Sequence, residues 1–139
     1  IWVTSRSEEK RSRALELGAD RAFEPGARLP ERVDAVMETV GAATWSHSIN
    51  ALKPGGRIVI AGATTGHVAP THLAQVFFLQ KSIVGSTMGT RDQLARLAVF
   101  LEQTGARPVI DRVLPLTRAE EGFAAMLQGD IFGKIVFTL

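Results

Sequence analysis

Apolar and polar positions along the chain switch repeatedly between short β-branched runs and stretches with helical spacing. Residues 1–4 (IWVT) are apolar and β-branched and predict a strand. Residues 8–17 predict a helix. Ser7 is a good N-cap, Glu8 and Glu9 occupy the first turn where the helix dipole favours acids, and Gly18 follows Leu17 as a terminating glycine. A short strand is expected at 21–23 and a loop at 24–31, which contains Pro25, Gly26 and Pro30. Residues 33–39 (VDAVMET) predict a second good strand, ended by Val40-Gly41. Trp45, Ile49 and Leu52 recur at helical spacing and predict a helix over 44–52, and Lys53-Pro54-Gly55-Gly56 predicts a turn. The unbroken apolar centre of residues 57–61 (RIVIA) suits a strand buried on both faces, as in parallel sheets. A loop at 62–66, a helix at 71–79 and a strand at 82–87 follow. Leu94, Leu97, Ala98 and Leu101 form one stripe of an amphipathic helix over 91–103, closed by Gly105. Residues 109–114 read as extended. Thr117 is expected to cap a last helix reaching Leu127, with Glu120 completing a capping box, and 133–139 predict a final strand.

Strands alternating with helices imply an α/β fold with a parallel sheet and right-handed crossovers. In such sheets ligands bind beyond the carboxyl ends of the strands. That rule selects four places: Ser5-Arg6-Ser7, Val40-Gly41, residues 62–66, and residues 86–89. Glycines and hydroxyl side chains dominate them, which allows a backbone to approach a ligand closely; glycines also end strands for turn geometry alone. The first place puts a fixed cation and two hydroxyls beside a helix N-terminus, a setting that suits an anion. An acid there would hydrogen-bond a ribose diol and repel a 2′-phosphate, and this turn has none.

Length and composition narrow the picture. A chain of 139 residues is one domain on length priors and can bury a core, and 45% hydrophobic with 22% charged residues fits a globular protein. A net charge of +2 with interspersed signs gives no argument for nucleic acid, and no partner of that kind is expected. No apolar run approaches about 20 residues, so no membrane span is expected. The absence of cysteine removes disulfides and cysteine-ligated metal from this chain and fits a cytoplasmic setting. His47, His67 and His72 lack metal-ligand spacing, so no metal site is expected here. Trp45, Phe77 and Phe78 read as packing residues, Asp111 and Arg112 as surface charges, and no Ser/His/Asp constellation supports nucleophilic catalysis.

Five segments in order carry a resemblance: SRSEEKRSRALELGAD at 5–20, DAVMETVG at 34–41, LKPGGRIVIAG at 52–62, KSIVGSTMGT at 81–90 and FGKIVFTL at 132–139. Together they resemble the cofactor-binding part of the medium-chain dehydrogenase/reductase superfamily, the zinc-type alcohol dehydrogenases and quinone oxidoreductases. The resemblance implies a Rossmann-like, doubly wound parallel sheet in three layers, lacking its first strand and the glycine-rich turn. It implies that residues 1–139 are a partial NADP-binding domain, with 133–139 as the strand returning to an absent catalytic domain. It further implies weak or absent NADPH binding, and no turnover, by these residues alone. Position by position, Ser5, Arg6, Ser7 and Lys10 resemble a pocket for the adenosine 2′-phosphate of NADP(H), though Lys10 reads equally as a solvated helix cation. Val40 and Gly41 resemble the positions flanking the adenine and its ribose. Ala61, Gly62, Ala63 and Thr64 resemble those under the nicotinamide ribose and carboxamide. Gly85, Ser86 and Thr87 resemble the segment that hydrogen-bonds the carboxamide, and Lys134 is loosely placed near the pyrophosphate. The implied activity is hydride transfer between nicotinamide and an alcohol or carbonyl, with any zinc in the missing domain. A zinc-independent quinone or enone reductase stays open beside it, as do an S-adenosylmethionine-dependent methyltransferase core, which shares LKPGGRIVI, and a non-catalytic interaction domain. The resemblance implies that the strand at 82–87 lies at a sheet edge and pairs with its twin across a two-fold axis, and its apolar run carries no proline or inward-facing charge to blunt it, so a homodimer through residues 82–88 is expected.

Overall fold

The computed structural model describes residues 1–129 and 131–139, which form two compact units, Ile1–Met88 and Gly89–Leu139. The first unit contains β1 (Trp2–Thr4), α1 (Glu8–Glu16), β2 (Arg21–Phe23), β3 (Val33–Glu38), α2 (Ala42–Ala51), β4 (Leu52–Ile60), α3 (Leu73–Phe78) and β5 (Ser82–Gly85). The second contains α4 (Arg91–Thr104), β6 (Ile110–Pro115), a 3₁₀ turn (Leu116–Arg118), α5 (Ala119–Gln128) and β7 (Lys134–Thr138). Every strand pair is parallel: β1 with β2, β3-β4-β5 in that order, and β6 with β7. This is the expected α/β, Rossmann-like class. The orders β2-β1 and β3-β4-β5 match two runs of the doubly wound order 3-2-1-4-5-6, namely 3-2 and 4-5-6. Strands β1 and β3 do not pair; a cleft of about 510 Å³ separates them, lined by Trp2, Val3 and Thr4 on one side and Val36, Met37 and Val40 on the other.

The core of the first unit lies where α2 packs on β4. Leu52 and Ile58 are fully buried, Trp45 and Ile49 nearly so, and Val33, Val36, Ile60 and Ala69 pack around them. The helical spacing of Trp45 and Ile49 and the apolar centre of β4 account for this directly; each such side chain contributes about 1.5–3 kcal/mol by leaving water. Lys81 is also buried, and its ammonium donates to the carbonyl of Ile49 (2.6 Å), in the last turn of α2. Its pKa is lowered, by burial first and then by repulsion from Arg32.

Local signals in the first helix hold: Ser7 Oγ accepts from the N–H of Lys10, and Gly18 takes φ +100° just past the C-cap Leu17. Others need correction. Residues 53–56 leave the ladder as predicted but return within β4, four residues bulging opposite Asp34, whose carboxylate holds Lys53 Nζ at 2.9 Å. Thr117 does not cap α5, because the 3₁₀ turn carries the chain one residue further; the cap position is Arg118, which makes no side-chain cap bond and pairs instead with Glu121. The capping box occurs at α4, between Thr90 and Gln93. Phe77 and Phe78 pack on each other at 4.4 Å, but outside the core: α3 is a single six-residue helix and both rings stay exposed. The α4 stripe forms, but Leu94 and Leu97 remain exposed. Among the described residues, no helix is long and apolar enough to cross a membrane.

Candidate functional site

Parallel register places three strand ends at one level. Glu38 of β3 pairs with Ile60 of β4, and Ile60 with Gly85 of β5. One more hydrogen bond extends each pairing past the strands, from Ala61 N–H to the Glu38 carbonyl (2.9 Å) and from Ser86 N–H to the Ile60 carbonyl (2.8 Å). Val40 and Gly41, then Ala61, Gly62, Ala63 and Thr64, then Gly85, Ser86 and Thr87 therefore lie along the same carboxyl edge, as the topology rule requires of a ligand site.

Two of these loops are stitched to each other. Thr65 donates to the Val40 carbonyl from its N–H (2.8 Å) and its hydroxyl (2.7 Å), and the same hydroxyl accepts from Ala43 N–H (3.0 Å). Ala42 N–H donates to the Gly66 carbonyl (3.2 Å). Gly41 sits inside this seam at φ +92°, where an added Cβ would lie 2.6 Å from the Gly66 carbonyl oxygen and 2.8 Å from Ala63 Cα. At Gly62 an added Cβ would approach the Thr39 carbonyl oxygen to 2.8 Å. These two glycines thus serve close approach within the chain. Gly85 differs: an added Cβ there would meet nothing within 4 Å. Nothing in the chain itself requires glycine at that position, which leaves open space beside the strand end.

Sequence reasoning missed the residue beneath the seam. Glu38 is 3% exposed. Its Oε1 accepts from Val40 N–H (2.8 Å), Gly41 N–H (3.0 Å) and the Thr44 hydroxyl (2.8 Å), while Oε2 accepts from the Ser48 hydroxyl. Burial pushes the pKa up. The hydrogen bonds from Ser48, Gly41, Thr44 and Val40 outweigh that and hold it below the ordinary glutamate value. Only an Asp/Glu at a strand end followed by hydroxyls on the next helix could have signalled this arrangement.

The Ser5-Arg6-Ser7 turn belongs to the β1–β2 sheet. Ser5 N–H continues that pairing to the Phe23 carbonyl (3.0 Å), and Ser5 Oγ accepts from Ser7 N–H (3.3 Å). The Ser7 hydroxyl oxygen is engaged as the N-cap of α1, leaving its O–H to donate. Arg6 is exposed and makes no ion pair among the described residues; Lys10 is partly buried. A second residue missed from sequence shapes the turn: Arg11 donates from Nη1 to the carbonyls of Ser5 (2.6 Å) and Arg6 (3.2 Å), and its Nη2 pairs with Glu24 (3.3 Å). An arginine four residues past an N-cap reads as a solvated helix charge until the turn is seen to fold back over it. Both sheets line the cleft that runs along Trp2, Val3 and Thr4 and along Met37, Thr39 and Val40.

Asp111 and Arg112 pair with each other at 2.6 Å, and Asp111 also accepts from Phe132 N–H (2.8 Å). His47 contacts the Ala27 carbonyl (3.0 Å), while His67 and His72 are exposed. No group of three or more metal-ligating side chains occurs among the described residues, and the chain has no cysteine. These residues do not form a zinc-ligand set.

The profile of a family described as zinc-binding dehydrogenase matches residues 1–103. A zinc-type alcohol dehydrogenase-like protein, YogA, of Leptosphaeria maculans is 31% identical over all of this chain and 44% of its own length. An acryloyl-coenzyme A reductase of Metallosphaera sedula is 26% identical over 78% of this chain and 33% of its own length. Among solved structures, an NAD-dependent alcohol dehydrogenase superposes over all of this chain and 43% of its own, with a TM-score of 0.88 and 34% identity. The chain thus spans less than half the length of the relatives it matches.

Proposed function

The chain belongs to the zinc-binding dehydrogenase family, and we propose that it is the nucleotide-binding part of an NADP(H)-dependent oxidoreductase that moves hydride between nicotinamide and an alcohol or carbonyl substrate. The observation that carries this reading is the level set of Val40-Gly41, residues 61–64 and residues 85–87 beyond the carboxyl ends of three adjacent parallel strands. Bound nicotinamide supplies the hydride chemistry, and the chain's own residues bind and orient. In this reading Val40 and Gly41 support the adenosine end. Ala61, Gly62, Ala63 and Thr64 lie under the nicotinamide ribose, and Gly85, Ser86 and Thr87 offer backbone groups to the carboxamide. No residue of this chain is assigned a catalytic role. Residues 133–139, which include β7, are proposed as the strand leading to a catalytic domain elsewhere in the protein, where any zinc would be held. A homodimer is proposed through residues 82–88, because β5 is an edge strand whose Ile83 and Val84 are each 41% exposed.

Preference for NADP(H) rests on the β1 turn, where Ser5 stands in place of an acid and Arg6 is exposed toward solvent. In the complete protein, Ser5→Asp combined with Arg6→Ala should reverse the preference between NADPH and NADH. One charge-assisted hydrogen bond of about 1.5–3 kcal/mol corresponds to a shift of one to two orders of magnitude in the kcat/KM ratio. Equal use of both cofactors before and after the exchange would defeat the assignment. A second reading is a zinc-independent quinone or enone reductase, which the likeness to an acryloyl-coenzyme A reductase favours. NADPH-dependent reduction of an activated alkene that survives a zinc chelator, with no alcohol oxidation, would select it.

A further inference from the structure

We propose that Glu38 is a positioning residue for the nucleotide: its carboxylate sets the Val40-Gly41 turn, and that turn sets where the adenosine end of the cofactor rests. The proposal rests on the nucleotide-binding reading above. A buried carboxylate needs strong compensation, yet Glu38 makes no ion pair among the described residues. Four donors converge on it instead, and two are the backbone N–H groups of Val40 and Gly41. Those groups belong to the two residues that lead into α2, whose own first N–H groups are met from the other loop, Ala42 by the Gly66 carbonyl and Ala43 by the Thr65 hydroxyl. Glu38 holds the entry to α2, through the Val40 and Gly41 N–H groups and the Thr44 hydroxyl, from the end of the preceding strand, where its own backbone is fixed by pairing with Ile60. The restraint then passes onward, because Val40 and Ala42 are the residues bonded to Thr65 and Gly66. One carboxylate therefore holds two of the three loops along the edge.

Charge adds a second consequence. A helix N-terminus ordinarily attracts phosphate, but the start of α2 already carries an internal anion. The nucleotide's phosphates are disfavoured there, in keeping with the uncharged base and ribose that the proposed reading seats on Val40-Gly41.

The test is NADPH affinity of the complete protein, titrated at a temperature where circular dichroism shows each variant fully folded. Glu38→Gln keeps an oxygen in place for Val40 and Gly41 and should stay within about twofold of wild type. Glu38→Asp withdraws the carboxylate by one methylene and Glu38→Ala removes it; both should weaken NADPH by about tenfold or more, the effect of losing roughly one well-made hydrogen bond from the site. Should either fail to fold, Thr65→Val, an exposed change that removes the two side-chain hydrogen bonds between the loops and leaves the two backbone ones, should weaken NADPH in the same direction. Unchanged affinity in folded Asp, Ala and Thr65→Val variants would overturn the positioning role and leave nucleotide binding standing, since a residue serving stability alone lowers only the melting temperature. A Gln variant as weak as Ala would also overturn it, by showing that charge rather than placement matters. Wild-type protein that binds neither NADPH nor NADH would remove the underlying reading and this proposal together.

Discussion

Two glycines on the same edge should respond in opposite ways to the same substitution. Gly41→Ala meets two costs. Its backbone, at φ +92° and ψ −133°, lies in territory that L-residues rarely enter, a strain of about 1–3 kcal/mol. Its Cβ would also sit 2.6 Å from the Gly66 carbonyl oxygen and 2.8 Å from Ala63 Cα. Both are backbone atoms, so relief requires the 61–66 loop to move and the seam to Val40 and Ala42 to loosen, at about 0.5–1.5 kcal/mol for each hydrogen bond lost. The sum is about 2–5 kcal/mol, and at 4–8 °C per kcal/mol for a unit of this size the melting temperature should fall by about ten degrees or more. Gly85→Ala meets neither cost: its φ is not positive and the new methyl has no neighbour within 4 Å. Replacing a strand glycine should leave stability unchanged or raise it by about 0.5–1 kcal/mol. The same methyl would enter the space assigned to the nicotinamide end and weaken NADPH. Thermal melts of this chain by circular dichroism and NADPH titrations of the complete protein, for both variants, separate these effects. A Gly41→Ala protein melting within two or three degrees of wild type would refute the reasoning about the seam, and a Gly85→Ala protein with undiminished NADPH affinity would refute a ligand beside β5.

Val84→Pro should dissociate the proposed homodimer, since it removes a ladder donor and imposes an unsuitable φ on the edge strand; light scattering that finds a monomeric wild type, or a dimer indifferent to proline, would reject that interface. Acid should destabilise the first unit through Glu38: with its folded pKa below the ordinary value, its contribution is fully present above about pH 4.3 and is lost as pH falls through the folded value. Urea midpoints between pH 7 and pH 3 should therefore drop less steeply for Glu38→Gln than for wild type, and parallel curves would show that this carboxylate carries no acid sensitivity.

Much of the fold was legible because its signals are local. The apolar centre of β4, the Trp45 and Ile49 spacing of α2, the Ser7 cap and the Gly105 stop each depend on residues within a turn or two of one another, and each formed as read. The misreadings share a different cause. Thr117 and Thr90 both open a sequence compatible with a capping box, and only the 3₁₀ turn after β6 decides that Thr117 is one residue too early. Phe77 and Phe78 have the composition of core residues, but burial is set by what packs over α3, and periodicity over six residues carries no information about that.

The site divided along the same line. Positions 40–41, 61–64 and 85–87 were legible because parallel topology alone brings strand ends level, whatever their side chains. Glu38 and Arg11 were not, because a charged residue next to a loop looks solvated until its partners are known. Nothing nearby in sequence offers Glu38 an opposite charge; its compensation comes from two backbone N–H groups and two hydroxyls on the following helix, all neutral donors. Arg11 likewise spends its guanidinium mainly on backbone carbonyls of the turn preceding its own helix. Glu38 is thus a buried charge satisfied by dipoles with no counter-charge among the described residues, while Arg11 adds an ion pair with Glu24 to its two carbonyls. Pairing rules based on opposite charges therefore pass over Glu38, the side chain that sets the Val40-Gly41 turn.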